Sequence, residues 1–199
     1  MGLHRAGFEV VGFDIEPQKN YPFEFHQADA LTVDLSEFDA VWASPPCQAY
    51  SIMQNANVMR NANVMRKDHP DLIAVTRWKL TLAHKPWVIE NVPGAPLYRT
   101  ITLCAFSMGL RVLRHRLFES SIRLVSPVHK KHPRQSKVRG ASPPGHLDTL
   151  AYIGFTTGSN MRAFRDAMGC DWMTPDEGRQ AVPPAYSEYL GKQLMKVLK

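Results

Sequence analysis

The sequence predicts an α/β fold built on a doubly wound, mostly parallel sheet, and three observations carry that expectation. Apolar runs rich in β-branched and aromatic residues recur at Phe8 to Phe13 (FEVVGF), Phe38 to Ala43 (FDAVWA) and Trp87 to Val92 (WVIENV), each short and bounded by polar residues or proline. A helix candidate separates the second run from the third, and strand, helix, strand in that order is the signature of a parallel crossover. A small basic segment then interrupts the pattern before it resumes with helices.

Each element has a local reason. A further short strand is expected around Phe25. The crossover helix runs from about Pro70 to His84: Asp68 and Pro70 signal its start, Leu72, Val75, Trp78 and Leu82 recur at helical spacing, and Lys85-Pro86 ends it. After Glu119 the pattern loosens into a Pro-, His- and Lys-rich stretch up to about Asp148. Ser159 to Met168 reads as a helix stopped at Gly169. Thr174-Pro175-Asp176-Glu177 has the spacing of a capping box with proline at the first helical position. The last helix, from about Pro184 to Lys199, puts Tyr186, Leu190, Leu194 and Val197 on one face. The hexapeptide NANVMR occurs twice in immediate succession, at Asn55 to Arg60 and Asn61 to Arg66, and such a duplication is expected in a surface loop, where it shifts no packed register. These readings divide the chain into a core over 1–119, a basic segment over 120–158 and C-terminal helices over 159–199 that return to the core.

At 199 residues the chain suffices for one domain with a proper core. No stretch is apolar enough to span a bilayer, which predicts no membrane partner. The three cysteines, Cys47, Cys104 and Cys170, are an odd number at wide spacing, and they suit a reducing, intracellular compartment. Between Arg111 and His146 lie nine Lys or Arg against the single acid Glu119, a local charge of +8 in a chain of net charge +6, which leaves −2 elsewhere. Such an excess suits phosphate neutralisation and so a nucleic acid, or else a solvated loop kept soluble by charge. His129, His132 and His146 lie in this stretch with no cysteine near them in sequence and no recognised ligand spacing, so they are expected in solvent or facing phosphates, and no metal is expected.

In open parallel sheets ligands bind beyond the carboxyl ends of the strands. Asp14 follows FEVVGF, Asp29 follows the strand around Phe25, Cys47 follows FDAVWAS, and Glu90 lies in WVIENV, so the four are expected on one rim. Each also has an ordinary reading as a turn residue, a buried small hydrophobe or a solvated charge. Cys47 is the most pointed, because Pro45 and Pro46 fix φ and hold the thiol in a defined direction, as a nucleophile requires.

These residues resemble a known family. SPPCQAYS (Ser44 to Ser51) is similar to the Pro-Cys-Gln catalytic loop of DNA (cytosine-5)-methyltransferases of the compact phage type. IENV (Ile89 to Val92) resembles that family's Glu-Asn-Val motif, RHRLFE (Arg114 to Glu119) its arginine motif, and QAVPPAY (Gln180 to Tyr186) its late Asn-Ala-Val-Pro-Pro motif, in the family's order. The resemblance implies a fold of the S-adenosylmethionine-dependent methyltransferase type, with 120–158 as a small target-recognition segment. It implies that Cys47 adds to carbon 6 of a flipped-out cytosine, that Glu90 holds ring nitrogen 3 and the amino group and protonates the ring, and that Arg116 steadies the base. It implies S-adenosyl-L-methionine as cofactor, with Asp14 on the ribose hydroxyls, Ile15 against the adenine, Asp29 on the adenine amino group and Gln180 in the motif that closes the pocket. Pro46, Gln48, Ser51, Asn91, Arg114, Lys130, Lys131 and Arg134 are the residues implied to meet the DNA.

The resemblance departs from the family at defined places. Val112 stands where a glutamine is usual, Gln180 where an asparagine is usual, and the chain begins beyond the family's first strand and its Phe-x-Gly-x-Gly loop. A core without that strand, which is central in the family's sheet, is therefore expected. The partner implied is double-stranded DNA, in the cytoplasm of a bacterial or phage-infected cell, with a cognate restriction endonuclease as a functional counterpart not in direct contact; the chain is expected to be a monomer. A non-catalytic DNA-binding remnant is the alternative. A thiol hydrolase lacks a histidine in a matching motif.

Overall fold

The computed structural model describes residues 1–50, 69–132 and 161–199. Among them a short helix α1 (Gly2–Arg5) precedes strands β1 (Val11–Asp14), β2 (Glu24–Gln27) and β3 (Val41–Ala43), and a 3₁₀ turn (Gln48–Tyr50) follows β3. Helix α2 (Ile73–Leu82) leads into β4 (Trp87–Asn91), and β5 (Ile101–Cys104), a second 3₁₀ turn (Phe106–Met108) and β6 (His115–Ser120) come next. Helices α3 (Met161–Ala167), α4 (Pro175–Gln180) and α5 (Pro184–Leu198) complete the order. The chain is thus α/β.

The strands form two ladders. β1 and β2 pair in parallel, and a second sheet has the order β3-β4-β6-β5, with β3 and β4 parallel and β6 antiparallel to both β4 and β5. The expectation of a mostly parallel sheet is corrected to a mixed one. β5 and β6 are short-range neighbours that a loop can join, which permits antiparallel pairing without a crossover.

β4 is buried along its whole length, and its alternating side chains serve two cores. Val88 joins Leu103, Val112, Phe118, Phe164, Met168, Tyr186, Leu190 and Leu194 in the larger cluster, so α3 and α5 cover that face. Trp87 and Ile89 join Leu80 of α2, with Leu35 and Val41 alongside, on the other. Burying side chains of this size contributes about 1.5–3 kcal/mol each, so the larger cluster dominates the fold's stability.

Helix boundaries follow the local signals. Thr174 and Glu177 form the predicted capping box, Glu177 N donating to Thr174 Oγ1 at 3.3 Å and Thr174 N donating to Glu177 Oε2 at 2.6 Å. Gly169 terminates α3 at φ 74°, a left-handed conformation that favours glycine. The predicted face of α2 is corrected: Val75, Trp78 and Leu82 are exposed, Trp78 by 65%, while Ile73 and Leu80 are buried. Arg77 takes an inward position of this helix, where Glu119 of β6 receives its guanidinium in two hydrogen bonds of 2.6 and 2.8 Å. An ion pair on the inward face displaces the apolar stripe that spacing alone suggests. On α5 Tyr186, Leu190 and Leu194 are buried as expected, but Val197 in the last turn is exposed. The NANVMR duplication lies outside the described residues.

Candidate active site

Three of the four resembling motifs meet at the carboxyl end of β4, and the fourth is tied to one of them. Glu90 sits on β4, and antiparallel pairing puts Phe118 opposite it and Leu117 opposite Asn91, so the start of β6 runs past the same strand end. There the Nε of Arg116 lies 2.8 Å from Glu90 Oε1, with side-chain exposures of 14% and 7%. Ser44, just ahead of Pro45, also hydrogen-bonds the Glu90 carboxylate. Burial raises the Glu90 pKa above the ordinary glutamate value and outweighs the opposing pull of Arg116, of the Ser44 hydroxyl and of Arg114. The carboxyl at this position is therefore poised to hold a proton more readily than one in water.

The cysteine loop is fastened to the same strand. Asn91 is buried, its Nδ2 donates to the Pro45 carbonyl at 3.0 Å, and its Oδ1 accepts from Val92 N at 2.8 Å. Proline supplies no N–H of its own, so the loop is held through its carbonyl. Pro46 and Cys47 are half-buried and Gln48 is exposed. Gly94, at φ 97°, brings the turn after β4 within 3.8 Å of the Tyr50 carbonyl for a side chain placed there, so this turn and the 3₁₀ turn after Cys47 lie close together. Cys104 and Cys170 are buried, and burial pushes the Cys170 thiol up to about 11. Cys47 is the only one of the three cysteines with appreciable exposure.

Arg114 is corrected from a DNA contact to an internal clamp. It is buried, donates to the Ala181 carbonyl at 2.8 Å, and lies over the Phe164 ring with its Cζ 5.6 Å from the centroid. Burial, then the charge of Arg116, lowers its pKa to about 10, so it remains a cation at neutral pH. The hydroxyl of Tyr186 donates to the Arg114 carbonyl at 2.5 Å, so the late motif and the arginine motif grip each other. Asn91 is likewise a positioning residue, its amide held by the protein's own loop. Val112, where the family has glutamine, is fully buried in the larger core, a place for an apolar side chain.

The predicted single rim divides in two. Asp14 closes β1 and its Oδ1 accepts from Glu16 N at 2.9 Å; Asp29, just beyond β2, accepts from Leu31 N at 2.8 Å. Because β1 and β2 are parallel, both carboxylates lie at the carboxyl edge of that ladder, beside Ile15, which is 63% exposed and whose carbonyl accepts from Gln27 at 2.9 Å. Gln180 ends α4 and is exposed, and α4 is drawn toward this ladder by Asn20 Nδ2, which donates to both carboxylate oxygens of Glu177 at 3.0 Å. A surface hollow of about 410 Å³ lined by His4, Phe8, Phe23 and Glu24 lies at the opposite, amino-terminal edge, away from these residues.

Of the basic window, Lys130 and Lys131 are exposed, whereas Arg114 and Arg116 face inward, so the charge available to phosphates is smaller than the residue count implies. Ser51, Arg134 and His146 lie outside the described residues. The sequence reading missed Ser44 and Tyr186 as site supports, although both lie within quoted motifs. It also missed a cluster in which Cys104 meets three histidines, because residues distant in sequence supply it. Comparison with protein-family models, with curated proteins and with solved structures finds no match.

Proposed function

We propose that the chain is a DNA cytosine-5 methyltransferase that works through a covalent Cys47 adduct. The observation that carries this reading is the convergence on β4 of Cys47's loop, Glu90 and Arg116, fastened by Asn91 and Ser44. A thiol, a proton-holding carboxyl and a guanidinium are the three groups that activation of a cytosine ring needs.

Carbon 5 of cytosine is a poor nucleophile until carbon 6 carries a new bond. The Cys47 thiolate forms that S–C bond, and Glu90 donates its proton to ring nitrogen 3, so the ring's electron pair moves to carbon 5. Arg116 keeps Glu90 oriented and offers positive charge beside the pyrimidine. Water later takes the carbon 5 proton, and the electrons of that C–H bond re-form the carbon 5–carbon 6 double bond as the C–S bond breaks and frees the thiolate. Ring nitrogen 3 returns its proton to Glu90. S-adenosyl-L-methionine supplies, when bound, an electrophilic methyl group; Asp14, Ile15 and Asp29 on the β1–β2 edge, with Gln180, are the residues that hold it in this reading. The base reaches Cys47 only out of the stack, at a cost of a few kcal/mol met by contacts to the displaced strand and phosphates.

The topology favours the finer fold expected from the resemblance. Helices cover both faces of β3-β4-β6-β5, α2 on one and α3 and α5 on the other, as a doubly wound sheet has them. Exposed Lys130 and Lys131 are suited to DNA phosphates.

The test is methyl transfer from isotopically labelled S-adenosylmethionine to duplex DNA, read as labelled 5-methylcytosine after digestion to nucleosides. Label in wild type and background in Cys47→Ser are expected. Label that persists in Cys47→Ser would exclude the covalent route.

A further inference from the structure

A second cluster of chemically capable side chains lies away from Cys47. β5 and β6 pair so that Cys104 stands opposite His115, and the segment after β6 returns to set His129 and His132 over that end of the hairpin. Cys104 Sγ is 3.1 Å from His132 Nε2, and His115 Nε2 is 3.0 Å from His129 Nε2. One possible ligand atom from each of the four lies within 4.8 Å of the other three. The thiol is buried, His115 and His132 are half-buried and His129 is exposed. Lys130 N donates to Ser107 Oγ at 2.9 Å, which pins the returning segment between the two histidines it carries.

Nitrogen and sulfur atoms of this kind, converging from four side chains with no carboxylate in the group, are the donor set of a closed tetrahedral site. Zinc at about 2.0–2.1 Å from nitrogen and about 2.3 Å from sulfur separates its ligand atoms by about 3.3–3.6 Å. The observed separations, 3.0 to 4.8 Å, bracket that range, so small side-chain rotations suffice to close the four onto one ion. Hydrogen bonds alone serve the group poorly. Two Nε2 atoms facing each other need one protonated and one bare, and the thiol offers a weak donor.

We propose that Cys104, His115, His129 and His132 form a structural zinc site. All four positions are filled by protein, so no coordination place remains for substrate, and the ion acts on structure. On binding, Cys104 gives up its proton and the thiolate neutralises part of the ion's charge. The ion ties residues 129–132 to the β5–β6 hairpin. His129 and His132 are thereby ligands, in place of the solvent- or phosphate-facing role that sequence suggests. The inference does not depend on the methyltransferase reading.

The experiment is metal analysis of the full chain purified from zinc-supplemented cells and freed of loose metal by gel filtration. About one zinc per chain is expected. Replacement by cobalt(II) should give the intense visible bands of a tetrahedral ion and a near-ultraviolet thiolate charge-transfer band, and Cys104→Ser should abolish the latter. His129→Ala alters an exposed residue, so it should fold as wild type by circular dichroism and yet bind zinc more than about tenfold less tightly. Folded wild-type protein with only trace zinc, or a charge-transfer band that survives Cys104→Ser, overturns the proposal.

Discussion

Glu90 and Arg116 form an ion pair of 2.8 Å across the β4–β6 ladder, both nearly withdrawn from water. Paired charges usually lower a carboxyl's pKa, yet here desolvation wins and the value is raised. The sign for stability follows. A carboxyl that holds its proton better when folded favours the folded state most at acid pH, and that advantage is lost as pH rises through the folded value. Glu90→Gln cannot ionise, so its stability relative to wild type should improve as pH is raised from about 4 to about 8, measured by urea unfolding. An unchanged difference across that range would contradict the raised value.

The same substitution tests the proton donor. Wild-type kcat/KM should fall on an alkaline limb set by Glu90, and Glu90→Gln should lower turnover by about 100-fold or more. Retention of turnover in Glu90→Gln would place the donor elsewhere.

Asn91 acts through the loop it holds. Asn91→Ala removes the donor to the carbonyl of half-buried Pro45, at about 1–3 kcal/mol. Because the lost contact positions Cys47, kcat should drop more than KM rises, and the adduct-forming rate should fall in parallel. A change in KM alone would assign Asn91 to DNA binding.

Gly191 lies where α5 crosses α1. A Cβ there would come within 2.8 Å of Ala6 Cβ and 3.1 Å of Leu3. Alanine gains about 1 kcal/mol of helix propensity, but overpacking costs about 1–3 kcal/mol, so Gly191→Ala should lower Tm by a few degrees. A raised Tm would show that the helices separate easily.

Lys130 and Lys131 are exposed cations on the segment that follows β6. If both rest on phosphates, their joint change to glutamine should reduce the slope of log K against log salt by about 1.8 and weaken binding to any duplex sequence. An unchanged slope would remove them from the DNA surface.

Helices and buried strands were legible where the signal is local. The capping box at Thr174, the stop at Gly169 and the run WVIENV each act through neighbours within a few residues. β6 was not legible as a strand, because RHRLFE carries charges whose partners, Glu90 for Arg116 and Arg77 for Glu119, are remote in sequence. The same pairing misdirected the face of α2. The catalytic candidates Cys47, Glu90 and Arg116 were named from motifs; Glu90 pairs with Arg116 and the loop of Cys47 is fastened to the same strand, whereas Arg114 and Asn91 proved internal, a distinction that depends on burial. The meeting of Cys104 with His115, His129 and His132 required the register of β5 against β6, which no local pattern encodes.

The central claim is a covalent bond between Cys47 and cytosine, and intact mass is its most direct measure. The chain is incubated with S-adenosylmethionine and duplex DNA carrying 5-fluorocytosine, whose fluorine cannot leave as the proton does. The account predicts a stable protein–DNA adduct in wild type and none in Cys47→Ser. Folded protein that binds the duplex yet forms no adduct would contradict it and would leave a DNA-binding chain without this chemistry.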